Sequence, residues 1–116
     1  MPTIICVLGT DPADAALNRP VVVLGPAEVE EALPLVRSDR LPLLATLLGA
    51  DGTARRTFGA SEFAPLRAEL RAALVAIDAA RLPARLVPAL ALQRVDAACR
   101  TAQELGLNLY VRVEED

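Results

Sequence analysis

The sequence predicts a two-layer α+β sandwich, in which a four- to five-stranded sheet, mixed or antiparallel, is covered by two main helices. Three observations carry this reading. Phe63, Leu66, Leu70, Leu74 and Ile77 recur at steps of three and four, which lays them along one stripe of an α-helix. Leu92, Val95, Cys99 and Ala102 form a second stripe of the same kind. Around these lie short apolar runs, the last of which alternates strictly: Leu107, Leu109, Val111 and Val113 point one way, and Asn108, Tyr110 and Arg112 the other. At 116 residues the chain fits one domain, 1–116, with enough length to bury a core without metal or disulfide staples. No repeat, low-complexity linker or composition shift divides it.

In chain order, Ile4-Ile5-Cys6-Val7-Leu8 is a continuous apolar run, short enough for a strand buried on both faces. It ends at Gly9, and Thr10-Asp11-Pro12-Ala13-Asp14 has the composition of a turn. Arg19 to Leu24 reads as a second strand, with β-branched residues suited to the pleat and Pro20 at its first positions. Gly25-Pro26 opens a short helix with Glu28, Glu30 and Glu31 near its positive end and Val29, Leu33 and Val36 as its apolar edge. Pro34 is expected to end or kink it, before a turn at Ser38-Asp39-Arg40.

Leu41 to Leu48 fits helix or strand on spacing alone. Pro42 and the Gly49-Ala50-Asp51-Gly52 cluster favour a strand entering a hairpin, with Thr53 to Phe58 returning. In that register Arg55 shares a face with Thr53 and Thr57, and Arg56 with Ala54 and Phe58, so one arginine falls on the helix side unless the strand bulges. Gly59 breaks the segment, Ser61 is expected as N-cap of the central helix, and Glu62 complements its dipole. After a break at Arg81-Leu82-Pro83, a second helix runs from about Pro88 to Leu105, with Pro88 in its first turn and Asp96–Arg100 as an i,i+4 pair. Gly106 stops it. Glu114-Glu115-Asp116 reads as a solvated acidic end.

Composition narrows the chemistry. With 53% hydrophobic and only 3% aromatic residues, the core is built from Leu, Val, Ile and Ala. A net charge of −3 provides no basic field for phosphate neutralisation, so no nucleic-acid partner is expected. All 12 cationic residues are Arg, which removes the P-loop lysine and Schiff-base chemistry while leaving side chains able to grip carboxylates bidentately. With no His, a Ser-His-Asp or Cys-His relay is impossible. Cys6 and Cys99 read as small buried hydrophobes. The N-terminus lacks the pattern of a secretory signal, and no apolar run reaches the ~20 residues of a membrane span. The expectation is a cytoplasmic protein with no membrane association.

The segment Leu41-Pro42-Leu43-Leu44, then Phe58, Glu69-Leu70 and the closing Leu109-Tyr110-Val111, resembles a family of small uncharacterised bacterial proteins. In that family a PLL strand, a turn rich in Asp and Gly, a Phe, an EL helix and a terminal LYL-type strand follow in this order. The resemblance covers Leu41 to the end, with Gly59 where the family has Asn. It implies a bacterial α+β domain and no particular activity.

Among possible sites, Asp11 and Asp14 lack the ligand spacing of a Ca²⁺ loop, so no metal is expected. The glycines form no phosphate-binding run, and no cofactor is expected. Arg55 and Arg56, with Arg67 and Arg71, could grip an anion or simply keep the surface soluble. Asn108, Tyr110 and Arg112 have the composition enriched at interfaces. The first strand and Val21-Leu24 do not alternate, so their second apolar face needs cover from the Pro26 helix or from another chain. The expectation is therefore a non-catalytic interaction module, of small regulatory, immunity-type or dimeric accessory character, acting as a homodimer or with a protein partner. Its candidate surface residues are Arg55, Arg56, Asn108, Tyr110 and Arg112. The alternative is a domain binding a small anionic ligand through Arg55 or Arg56.

Overall fold

Ile4, Cys6 and Leu8 on one side and Ile5 and Val7 on the other leave the first strand with no polar face, and the fold places it inside the sheet. The computed structural model describes residues 2–36, 41–49, 55–80 and 86–115. Their elements are β1 (Pro2–Gly9), α1 (Pro12–Leu17), β2 (Val22–Leu24), α2 (Pro26–Val36), α3 (Pro42–Leu47), β3 (Arg55–Phe58), α4 (Ala60–Ala80), α5 (Leu86–Leu105) and β4 (Asn108–Glu115). The four strands form one antiparallel sheet in the order β2-β1-β4-β3. No helix among the described residues is long and apolar enough to cross a membrane.

The predicted two-layer architecture is present. Helices α2 to α5 cover one face, and the core lies between: Ile4, Cys6 and Leu8 of β1, Leu24, Phe58, Leu109 and Val111 from the other strands, Phe63, Leu66 and Leu70 of α4, and Leu92, Val95, Cys99 and Ala102 of α5. The second predicted stripe is buried throughout, and of the first Phe63, Leu66 and Leu70 are buried and Leu74 is partly buried against the core, while the side chain of Ile77 lies outside the description. Gly106 closes α5 at φ 68°, and the Leu107 N–H reaches back to the Ala102 carbonyl at 2.9 Å, the six-to-one bond of a Schellman cap. The mid-helix partner of Asp96 is not Arg100. Arg67 of α4 takes Asp96, at 2.9 Å from Nε to Oδ1, which ties α4 to α5, and Arg100 turns to Glu104 at 3.0 Å.

Further expectations change. Leu41–Leu48 is not a strand: Pro42–Leu47 is helix α3, and the PLL segment of the family resemblance is helical here. Leu44, Leu47 and Leu48 face the core at helical spacing, and α3 packs on α4. Its N-terminus has no side-chain cap of its own; instead the Glu69 carboxylate of α4 accepts from the Leu43 and Leu44 N–H groups at 3.3 and 3.1 Å. That takes up orphan donors which Leu41, at the N-cap, has no side-chain acceptor to serve. The hairpin turn falls largely on residues 50–54, outside the described ones, and β3 pairs with β4 instead.

Second, the turn after Gly9 is helix α1. Asp11 is its N-cap, accepting from the Asp14 N–H at 2.7 Å, Pro12 takes the first turn, and Asp14 reaches back to accept from the Thr10 N–H at 2.8 Å. Third, α4 starts at Ala60, so Ser61 is inside it. Gly59 is the cap, its N–H donating to the Glu62 carboxylate at 3.3 Å and its carbonyl accepting from the Glu62 N–H at 3.0 Å. Fourth, α2 buries Val29 and Ala32 in the main core, on the same face as α4 and α5, and does not cover the far side of β1. Nor does Pro34 end α2, which continues to Val36. The predicted turn at Ser38-Asp39-Arg40 lies outside the described residues.

Candidate functional site

On the far face of the sheet, a small second cluster joins Ile5 and Val7 of β1, Ala15 of α1 and Tyr110 of β4. Helix α1 can lie this close only because position 9 has no side chain. A Cβ at Gly9 would stand 2.8 Å from the Ala15 nitrogen and 2.9 Å from its Cα, well inside contact distance. Asn18, just past the end of α1, ties it down by donating from Nδ2 to the Leu8 carbonyl at 2.8 Å.

The register lines up the rest of this face. Val23, Ile5, Arg112 and Arg55 make one row across all four strands, and Val7, Tyr110 and Thr57 make the next. Between α1 and the β3–β4 end of these rows runs an open groove of about 480 Å³, with Val7, Pro12, Ala15 and Tyr110 among its lining and Arg55 and Arg112 at its rim. Its size falls within the roughly 300–1,000 Å³ of ligand pockets. The groove presents positive charge, the Thr57 and Tyr110 hydroxyls and an apolar wall, an arrangement suited to holding an anionic group. Asn108 donates to Tyr110 Oη and to the Thr10 carbonyl, each at 3.4 Å, which leaves the phenol's own proton to donate elsewhere.

The sequence-derived candidates therefore separate. Arg55, Tyr110 and Arg112 come together on the open face, with Asn108 bracing Tyr110. Arg56 borders the groove as well, but its guanidinium goes to the helix side, where it lies 4.7 Å from the centre of the buried Phe58 ring and pairs with Glu62. Arg67 is committed to Asp96 and Gln103, and the Asp96 hydrogen bond raises its already high pKa. The carboxylates of Asp11 and Asp14 are spent on capping α1. Val7, Pro12, Ala15 and Thr57 were not anticipated as site residues. The Asp-Pro-x-Asp signature of a capped helix at 11–14 was the available signal.

A shallower hollow between α2 and α5 has Leu90, half exposed, beside Arg94 and Glu28, but those two charges neutralise each other. Cys6 and Cys99 are free thiols in the main core, and burial pushes both up to about 12, far from nucleophilic use at neutral pH. No protein-family model, curated protein or solved structure matches the chain.

Proposed function

We propose that this chain is a non-catalytic interaction module, a small regulatory, immunity-type or dimeric accessory protein of the cytoplasm, which docks a protein partner or a second copy on the open face of its sheet. One observation carries the reading: Val21 and Val23 are 48% and 44% exposed on the same face as the Arg55–Arg112 pair, and Leu17 of α1 is almost wholly exposed. An apolar group next to two arginines that share one carboxylate, Glu114, among the described residues is the composition of a docking surface. The two reduced, buried thiols suit a reducing compartment.

The test is Val23→Asp, at a solvent-facing position where the fold tolerates charge, with Val75→Asp on the exposed side of α4 as control. Self-association in light scattering, or recovery of a partner with the tagged chain, should be lost with Val23→Asp and kept with Val75→Asp. A wild-type monomer at high micromolar concentration, whose recovered proteins are all equally recovered by Val23→Asp, refutes the reading. The groove favours a second reading, a domain for a small anionic ligand held by Arg55. In that case thermal stabilisation by anionic metabolites should disappear in Arg55→Ala.

A further inference from the structure

We infer that the groove between α1 and the β3–β4 end of the sheet is the subsite for an acidic extended segment of the protein partner, whose carboxylates sit between Arg55 and Arg112. This rests on the interaction-module reading and names the chemistry of the partner. Arg55 and Arg112 are direct cross-strand partners, and like charges so placed destabilise a sheet. A chain of net charge −3 has acid to spare, and elsewhere it uses it: Arg56, Arg67, Arg94 and Arg100 each lie against a carboxylate.

On the groove rim the described residues provide the two arginines with one carboxylate, Glu114, at 3.1 Å from Arg112 Nε. A carboxylate from outside would relieve the repulsion and accept from guanidinium and phenol together. The apolar side of the groove, Val7 and Ala15, asks for an uncharged side chain next to that acid. An extended chain alternating acidic and small apolar residues meets both demands, since its side chains point alternately to opposite sides and the groove walls differ in the same way. A free anion would use the arginines and leave the apolar wall bare.

The experiment titrates the full chain with a blocked hexapeptide alternating glutamate with valine, its glutamine-for-glutamate counterpart, and glutarate as a free dicarboxylate, following backbone amide shifts by NMR. The glutamate peptide should give saturable shifts at Val7, Ala15, Thr57 and Tyr110. Binding should fall about tenfold with the glutamine peptide, and about tenfold in Arg55→Gln/Arg112→Gln, as expected from two partly exposed charge contacts. It should also weaken between about 50 and about 300 mM salt. Equal binding of the glutamine peptide, no loss in the double variant, shifts elsewhere, or glutarate binding as tightly as the peptide would each overturn the assignment. If the peptide fails while Val23→Asp still strips the partner, the groove assignment alone falls. If Val23→Asp has no effect, the module reading falls.

Discussion

Gly9→Ala is the perturbation on which the open-face geometry most directly depends. The added Cβ would lie 2.8, 2.9 and 3.0 Å from the N, Cα and Cβ of Ala15, where relaxed carbon contacts are about 3.5–4.0 Å. Helix α1 must therefore move outward by roughly 0.5–1 Å, enough to forfeit a quarter to a half of the dispersion it makes with Ile5, Val7 and Tyr110. Overpacking of this kind costs about 1–3 kcal/mol, offset by the roughly 0.4–1 kcal/mol that an alanine recovers by restricting the unfolded chain. The net expectation is a loss of about 0.5–2 kcal/mol in urea unfolding followed by far-UV circular dichroism. Tyr110 is the only tyrosine and the chain has no tryptophan, so intrinsic fluorescence reports on the α1 cluster alone and should change in the native baseline. Because two of the three clashes are with Ala15 backbone atoms, trimming the helix side chain by Ala15→Gly should not rescue the variant. A variant more stable than wild type by the entropic term alone would show that α1 does not rest on β1 at Gly9.

Two further outcomes concern the main core. Leu70→Ala removes a fully buried side chain from the α4 stripe and should cost about 2–5 kcal/mol in urea unfolding; a change near zero would mean that the stripe does not face the sheet. Burial raises the Cys6 and Cys99 thiols from near 9 to about 12, so the native state holds their protons longer than the unfolded chain does. Their contribution is fully present below about pH 9 and is lost as pH rises toward about 12, by up to roughly 1.4 kcal/mol per thiol per pH unit. Comparing urea midpoints at pH 8 and pH 10, Cys6→Ala/Cys99→Ala should lose less stability than wild type, and an equal loss would show that the thiols do not titrate differently on unfolding.

The elements legible in the sequence are those whose packing partner is a whole surface. Helices α4 and α5 and strand β4 each repeat their period several times, so the stripe alone names the element. Helix α3 was not legible, because six residues of Leu, Pro, Ala and Thr satisfy either period and its capping acid, Glu69, lies a full helix away. Helix α1 is as short, but its capping acids are local, and weighting Asp11 and Asp14 as caps would have found it. The site follows the same division. Tyr110 and Arg112 were visible as one polar face of a strand, whereas the Arg55–Arg112 juxtaposition is a property of the β3–β4 register. A hairpin between 41–48 and 53–58 would have set Arg55 against a leucine-rich strand and hidden it.

Replacing α2 by α1 as the cover of the far face also changes where a partner can act. A helix as long as α2 would have roofed the sheet from β2 to β4. The six residues of α1 reach Ile5, Val7 and Tyr110 and stop, which leaves Val21, just before β2, and Val23 on it exposed, with Arg55 and Arg112 on β3 and β4. The uncovered surface is thus divided into an apolar side and a cationic side with α1 above the middle. A partner using both must straddle α1, meeting arginine with acid on one side and valine with apolar surface on the other. Such a surface is poorly matched to itself, since Glu114, already paired with Arg112, is the one carboxylate that the described residues set beside these arginines. The charge distribution therefore favours a different, acidic protein over a second copy of this one.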